Sequence, residues 1–251
     1  MYEYERGVAK DEVEAVRLYH LAADQGNADA QFKLGAFYQY GRGVEKNDDI
    51  AFNWYQLSAN QENAWAQCNL GYMYLNGKGV EKSDKEAFKW YQKAADQENA
   101  GAQYNLGLMY YEGKGITQDK ETLELECSQL GILIDDLAVQ SDDQNIKLLQ
   151  QKIAFYWFQK AASLHHSWAQ NKLGVMYQLG QGVAQDLTIA AKWFELAAAQ
   201  GHAKAQFNLG MMFKNGEGVI QDFTEARKWF EQAATQDHSK AIEALKKFNK
   251  I

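Results

Sequence analysis

Three histidines recur at a fixed interval and are the first residues in the chain that could do chemistry. His166, His202 and His238 stand 36 residues apart, and His165 precedes the first of them. Imidazole serves both metal binding and acid–base catalysis. Neighbouring helices pack about 8–10 Å apart, whereas zinc needs its ligands at about 2.1 Å, so one position of successive repeats cannot share a metal ion. Asparagine at the matching earlier positions favours a turn or helix cap instead; these positions are Asn27, Asn63 and Asn99.

The other reactive residue types form no catalytic pattern. Cys68 and Cys127 fit neither a metal-ligand spacing nor a disulfide framework, so we expect buried or partly buried thiols. The sequence lacks the Gly-x-Ser-x-Gly elbow of serine hydrolases and the Ser-x-x-Lys motif of β-lactam chemistry. Its Gly-x-Gly-Val loops lack the preceding strand and the third glycine of dinucleotide-binding sites. We therefore predict no enzyme activity, no catalytic residue, no metal and no cofactor.

Charge and hydropathy argue against two classes of partner. The 251 residues carry a formal net charge of −7 and show no cluster of Lys and Arg along the sequence, which argues against nucleic acid. No stretch approaches the roughly 20 apolar residues of a membrane-spanning helix. The start of the chain has neither the basic nor the apolar segment of a signal peptide. This pattern favours the cytoplasm, and it leaves the periplasm or secretion open if an N-terminal signal was removed.

The elements that must position any site come from an internal repeat. A tryptophan or leucine followed by tyrosine or phenylalanine recurs at intervals of 36, 36, 67, 36 and 36 residues. A Leu-Gly pair and a Gly-x-Gly loop keep the same register, so the long interval contains a 31-residue insertion. The aromatic pairs are Leu18-Tyr19, Trp54-Tyr55, Trp90-Tyr91, Trp157-Phe158, Trp193-Phe194 and Trp229-Phe230.

Each repeat is predicted to be a helical hairpin. In the first helix, called helix A, Ala66, Leu70 and Tyr74 are spaced by four residues and share one face. Helix A ends at the first loop glycine, which can adopt the left-handed conformation. The second helix, helix B, begins after a residue whose side chain can cap it. These capping residues are Asp11, Asn47, Ser83, Asp119, Asp186 and Asp222.

The repeat resembles the SEL-one-like repeat (SLR) family, whose members are related to the tetratricopeptide repeats. The resemblance rests on the string Ala66-x-x-x-Leu70-Gly71-x-x-Tyr74-x-x-Gly77-x-Gly79-Val80, followed by Ala87-x-x-Trp90-Tyr91-x-x-Ala94-Ala95. It covers nearly all of the chain outside residues 120–152. The sequence departs from the family by having no proline after the loop and no cysteine pair within each repeat.

The resemblance implies an all-α fold, a right-handed α-α superhelix of 36-residue helix-turn-helix repeats. It also implies an adaptor, favours a bacterial source, and connects the chain to proteins that assemble complexes in bacterial signalling, bacteria–host contact and eukaryotic protein quality control. A few bacterial members are linked to β-lactam or cell-wall compounds. We predict one solenoid over residues 1–251. Its segments are a partial repeat at 1–26, repeats at 27–62, 63–98, 99–165, 166–201 and 202–237, and a C-terminal capping helix at 238–251.

An insertion at about 120–152 interrupts the repeat at 99–165. A stripe of apolar residues at helical spacing predicts an extra amphipathic helix at about 120–139. A lengthened helix B is predicted from about 143 to 163. The insertion is either a local packing elaboration or a protruding hairpin that binds a partner. The stripe consists of Leu123, Cys127, Leu130, Ile134 and Leu137.

The concave face, lined by helix A, is predicted to bind a partner. Five of the seven tryptophans belong to helix B and are expected to be buried, whereas Trp65 and Trp168 occupy an exposed position of helix A. An amide row beside an apolar row suits an extended peptide. Alternatively, the asparagines are structural and the tryptophans pack on the preceding repeat. The predicted binding residues are Trp65, Asn69, Tyr72, Asn105, Leu108, Trp168, Lys172, Val175, Lys204, Asn208 and Met211.

The sequence therefore favours a protein–protein interaction scaffold that binds a protein or peptide partner. Two alternatives stay open. One is a structural module that self-associates, because the partial first repeat leaves an open N-terminal end. The other is a binding protein for a small cell-wall or β-lactam-like molecule.

Overall fold

The computed structural model describes residues 11–134 and 142–248. Within these ranges the chain forms thirteen α-helices and no strand, which confirms the predicted all-α repeat fold. No helix in the same ranges is long and apolar enough to cross a membrane. The helices are α1 Glu12–Ala23, α2 Ala28–Tyr40, α3 Asp48–Ala59, α4 Ala64–Asn76, α5 Asp84–Asp96, α6 Ala100–Glu112, α7 Lys120–Gln129, α8 Asp142–Ser163, α9 Ser167–Leu179, α10 Leu187–Ala199, α11 Ala203–Asn215, α12 Phe223–Ala234 and α13 Ser239–Phe248.

The described residues divide into two compact units. The first unit runs up to residue 106 and includes 114–116, and the second holds 107–113 and the residues from 117 onwards. In the first unit, helix A of one repeat packs on the following helix B, as α2 does on α3 and α4 on α5. The second unit repeats this arrangement with α9 on α10 and α11 on α12, and α13 packs on α12.

The predicted caps of helix B are confirmed at five positions, whereas the sixth residue, Asp119, caps the inserted helix α7 instead of helix B. At each of the six positions the side chain accepts a hydrogen bond from a backbone N–H of the first helical turn, for example from Ile189 to Asp186 at 2.9 Å. The histidines cap helix A in the same way: Nδ1 of His202 accepts from the N–H of Ala205 at 3.1 Å. This contact satisfies one of the N–H groups that a helix start leaves unpaired.

The glycine of each Leu-Gly pair lets helix B approach the backbone of helix A. A Cβ atom built on Gly71 would lie 2.7 Å from two ring carbons of Tyr91, and one on Gly174 would lie 2.6 Å from the ring of Phe194. Carbon atoms in contact normally stand about 3.5–4.0 Å apart. Only a residue without a side chain therefore allows the aromatic ring of helix B to lie flat against helix A.

The second residue of the aromatic pair forms the core of each repeat, and the expectation that all helix-B tryptophans are buried is wrong. Tyr91 and Phe194 have no exposed surface, as have Tyr55, Phe158 and Phe230. Only Trp157, at 6% exposed, is buried among the five tryptophans, and the others are half-buried. Adjacent residues on a helix point about 100° apart, so both members of a pair cannot face the same core. Trp90 instead packs at the edge of the core cluster that α3 of the preceding repeat forms with α4.

A buried glutamine links successive helices in each repeat, a feature that the sequence analysis missed. Gln67 donates its Nε2 to the carbonyl of Ala59 at 3.3 Å and accepts from Nε2 of Gln97 at 2.8 Å. The same bond to a carbonyl eight residues earlier recurs at every equivalent glutamine, satisfying groups that would be costly to bury alone. These residues are Gln31, Gln67, Gln103, Gln170 and Gln206.

The insertion differs in part from its prediction. The extra helix α7 ends at residue 129 instead of 139, because Gly131 adopts a left-handed conformation with φ of +70° and Ile132 N–H bonds to the Cys127 carbonyl. Leu123 and Cys127 are buried, and α7 packs on α8. Leu137 lies outside the described residues. The lengthened helix B is confirmed as α8. Both cysteines are free, and Cys68 is half-buried.

Candidate functional site

The predicted binding residues fall into two groups, one in each compact unit. The group in the first unit comprises four side chains on α4 and α6, and the second comprises seven side chains on α6, α9 and α11. We describe each group by itself. The first group is Trp65, Asn69, Tyr72 and Asn105; the second is Leu108, Trp168, Lys172, Val175, Lys204, Asn208 and Met211.

In the first unit, most of the predicted polar groups already have partners within the protein. Asn69 hydrogen bonds the buried hydroxyl of Tyr55, and burial raises the pKa of that hydroxyl above its usual value. The hydroxyl of Tyr72 accepts from Lys78 Nζ at 2.9 Å, and the same ammonium lies 5.0 Å from the Tyr72 ring centroid. Trp65 stays 64% exposed. Asn69 is therefore tied to the fold, whereas Trp65 presents a large indole to solvent.

The second unit brings four predicted residues together around one cavity. Lys172, Val175, Lys204 and Asn208 line a cavity of about 400 Å³ between α9, α11 and α13. A neighbouring cavity of about 560 Å³ is lined by Trp168 and by residues at the N-terminal ends of the same three helices. The two cavities share Lys204, His238 and Ser239. We call the surface formed by these two cavities the α9–α11–α13 groove. Leu108 and Met211 are half-buried and line neither cavity.

Trp168 lies against the repeat that follows it, and half of its surface remains exposed. The indole makes an edge contact with the His202 ring at 4.5 Å between centroids, and Lys204 Nζ lies 5.7 Å from the indole centroid. Its exposed fraction is 51%. The alternative prediction was that the tryptophans pack on the preceding repeat. The contact between Trp168 and His202 is instead with the following repeat.

Three lysines from successive repeats converge on the groove, although no cluster of Lys and Arg occurs along the sequence. Lys172, Lys204 and Lys240 line it, and within the described residues none of them forms a salt bridge. The pKa of Lys172 is lowered, first by burial and then by the charge of Lys204, while the Glu112 carboxylate acts in the opposite direction. The lysines are 32 and 36 residues apart in sequence, so the sequence alone does not show that they are neighbours in space.

A model of the Sel1 repeat matches seven segments of the chain. The matched residues are 1–27, 28–63, 66–99, 100–122, 147–166, 169–202 and 203–238. The chain belongs to the Sel1 repeat family. This confirms the resemblance drawn from the sequence. Sel1 repeats are generally scaffolds for protein interactions, and the family is generally non-catalytic.

Solved structures of Sel1 repeat proteins are similar to the chain. The c5321 protective antigen of uropathogenic Escherichia coli, which displays an SLR fold, is 32% identical with a TM-score of 0.75, over 96% of this chain and 45% of that one. A Sel1 repeat protein from Oxalobacter formigenes is 31% identical with a TM-score of 0.78, over 99% and 63%. The chain thus spans less than two thirds of either protein. A comparison with curated proteins gave no match.

Similarity in fold extends to more distant proteins. The immunity protein Pa5087 from Pseudomonas aeruginosa has a TM-score of 0.51 at 18% identity, over 89% of this chain and 74% of that one. At this identity the likeness concerns the fold alone.

Several residues of the groove were absent from the sequence-based site prediction, and four of them have rings or charges that could bind a partner. They are His202, Phe207, His238 and Lys240, and the rings of Phe207 and His238 stack with centroids 5.0 Å apart. A sequence signal for them exists. The strings His202-Ala-Lys204 and His238-Ser-Lys240 recur at the repeat interval, with Trp168 at the lysine position of the preceding repeat. Within the described residues, no group of three or more His, Cys, Asp or Glu side chains could hold a metal ion.

Proposed function

We propose that the Sel1 repeat chain is an interaction scaffold that holds a protein or peptide partner in the α9–α11–α13 groove. The observation that carries the proposal is the half-exposed Trp168, which lines the larger of two adjoining cavities. An exposed indole keeps a large apolar surface in water, and burying such a ring in a complex supplies much of the binding energy at typical interfaces.

The composition of the groove supports a peptide-sized partner. Val175 and Phe207 offer apolar surface in the cavity that Lys172 and Lys204 also line, and the Lys172 ammonium lies 4.8 Å from the Tyr111 ring centroid. The side-chain NH2 group of Asn208 donates a hydrogen bond to Asn171 Oδ1 at 3.2 Å. The side-chain oxygen of Asn208 is then available to accept a hydrogen bond from a backbone N–H of the partner. Cavities of about 400 and 560 Å³ have the volume to take individual side chains of an extended chain.

The test is a comparison of two tryptophan variants. Trp168→Ala removes the indole beside the groove, and Trp65→Ala removes a somewhat more exposed indole from the other unit. Both substitutions affect exposed side chains, and circular dichroism would verify that each variant folds. We expect a partner captured from the source-cell lysate to be retained by Trp65→Ala and lost by Trp168→Ala.

The opposite pattern would move the binding surface to α4. Equal retention by both variants would contradict a role for either tryptophan. Capture of only further copies of the same chain would favour the self-associating module, and light scattering over a range of concentrations would measure that association directly.

A further inference from the structure

The charge of the α9–α11–α13 groove is opposite to that of the chain as a whole. The formal net charge is −7, yet Lys172, Lys204 and Lys240 line the groove with His238. Within the described residues, Asp237 is the only acidic residue that lines either cavity, and the Glu112 carboxylate, which lines neither, also acts on the charge of Lys172. A basic surface in an acidic protein selects anionic partners and steers their approach.

The backbone adds to this positive potential. The first residues of α9, α11 and α13, Ser167, Ala203 and Ser239, all line the larger cavity. Helix N-termini carry a partial positive charge and attract carboxylates and other anions. Lysine side chains and helix termini therefore act in the same direction at one place.

A buried donor without an acceptor lines the same cavity. Because Nδ1 of His202 accepts from Ala205 N–H, the proton of the neutral ring must reside on Nε2. His202 is 7% exposed, and its Nε2 has no hydrogen-bond partner among the described residues. The indole of Trp168 contacts the ring, and an aromatic face is only a weak acceptor for an N–H group. An incoming carboxylate is a much stronger acceptor.

The apolar groups of the groove favour a peptide over a nucleic acid. Phe207 and Val175 line the smaller cavity together with Lys172 and Lys204, and this mixture suits a peptide with both acidic and apolar side chains. A nucleic acid presents a continuous row of phosphates, and the negative charge of the rest of the protein would repel it beyond the groove.

We propose that the α9–α11–α13 groove binds a peptide segment through its carboxylates, which Lys172, Lys204 and Lys240 hold while an apolar side chain packs beside Phe207. The carboxylates come from Asp or Glu side chains or from a chain terminus. This inference rests on the proposed function and names the chemistry of its partner. Each lysine–carboxylate contact is a charge-assisted hydrogen bond, so binding should weaken as the salt concentration rises.

The test is a selection of short random peptides displayed on phage against three forms of the protein. These are the unmodified chain, Lys204→Glu/Lys240→Glu in the groove, and Lys46→Glu/Lys85→Glu as the control. The control changes the net charge by the same amount at two exposed lysines of the first unit. We expect peptides rich in Asp and Glu from the unmodified chain and the control, and none from the groove variant.

A selected peptide, synthesised with a fluorescent label, then measures affinity by anisotropy. We expect the groove variant to bind it roughly tenfold more weakly or worse. Replacing its Glu residues by Gln, or amidating its C-terminus, identifies which carboxylate is held. Acidic peptides that bind the groove variant equally well would overturn the proposal, as would a labelled single-stranded oligonucleotide that competes for the groove at equal affinity.

Other outcomes separate this inference from the proposed function. Selected peptides with no excess of acidic residues that are lost in Trp168→Ala would leave the groove as a peptide site and refute the carboxylate chemistry. No selected peptide from any form would count against both.

Discussion

The close contact between Gly71 and Tyr91 gives the most quantitative test of the packing. In Gly71→Ala the added methyl carbon would lie 2.7 Å from two ring carbons of Tyr91 and 2.9 Å from a third. Tyr91 has no exposed surface, so the ring has no open space to move into. Overpacking of this kind costs about 1–3 kcal/mol. Alanine returns up to about 1 kcal/mol of helix propensity over glycine. Because three ring carbons lie within 2.9 Å of the added atom, the cost falls in the upper part of this range, at about 2–3 kcal/mol, and we expect a net loss of about 1–2 kcal/mol in the free energy of unfolding.

The assay is urea denaturation followed by circular dichroism, with Gly101→Ala as the matched control. A Cβ atom on Gly101 meets its nearest atoms, in Asn99 and Cys68, at 3.4 and 3.6 Å, which is ordinary contact. This variant should therefore keep or raise the midpoint. In a Tyr91→Leu background, Gly71→Ala should cost much less, because the ring is gone. An unchanged or raised midpoint for Gly71→Ala in the otherwise unmodified chain would refute the argument.

Three further substitutions test other parts of the fold. Gln67→Leu removes two hydrogen bonds, one to the Ala59 carbonyl and one from the Gln97 amide, so we expect a loss of about 1–3 kcal/mol in urea denaturation, and an unchanged midpoint would remove the glutamine from the stabilising contacts. Asp186→Ala removes a helix cap and should cost about 1 kcal/mol, whereas Asp186→Asn, which also caps, should cost little. His202→Asn tests the pH dependence: burial, then the charges of neighbouring side chains, lower the pKa of His202 in the folded protein. Its contribution to stability is present above the unfolded pKa of about 6.5 and is lost as the pH falls below it, so thermal midpoints measured between about pH 7.5 and 5.5 should fall less for His202→Asn than for the unmodified chain. An equal fall in both proteins would contradict this assignment.

The sequence predicted the elements that depend on local chemistry. Asp186 caps α10 because a short acceptor side chain before a helix has one favourable partner, the N–H groups of the first turn. Gly180 ends α9 in the left-handed conformation, which glycine adopts without steric cost. Both rules need only neighbouring residues, and both recur in every full repeat of the sequence.

Features that depend on contacts between repeats were harder to predict. The apolar pattern could not decide whether Trp90 or Tyr91 faces the core, because that depends on how closely the next helix approaches. The helix predicted at about 120–139 extends ten residues beyond the observed end of α7. The apolar stripe continues past Gly131, but this glycine adopts a left-handed conformation just after the helix ends.

The candidate site was also predicted only in part from the sequence. Trp168 and Lys204 followed from helical periodicity within one repeat, but the basic groove became visible only when α9, α11 and α13 lay side by side. Lys240 belongs to a helix that was predicted to cap the solenoid, and it had no assigned role in binding. Alignment of the repeated His-x-Lys strings would have placed Lys204 and Lys240 in one row.

Site-specific photocrosslinking would show directly whether a partner occupies the α9–α11–α13 groove. A photoreactive phenylalanine analogue would replace Val175 in the groove, and the same analogue at Val13, which is 66% exposed on α1 in the first unit, is the control. We expect a crosslinked adduct of the captured partner from position 175 and none from position 13. An adduct from position 13 alone would contradict this expectation and move the binding surface to the first unit.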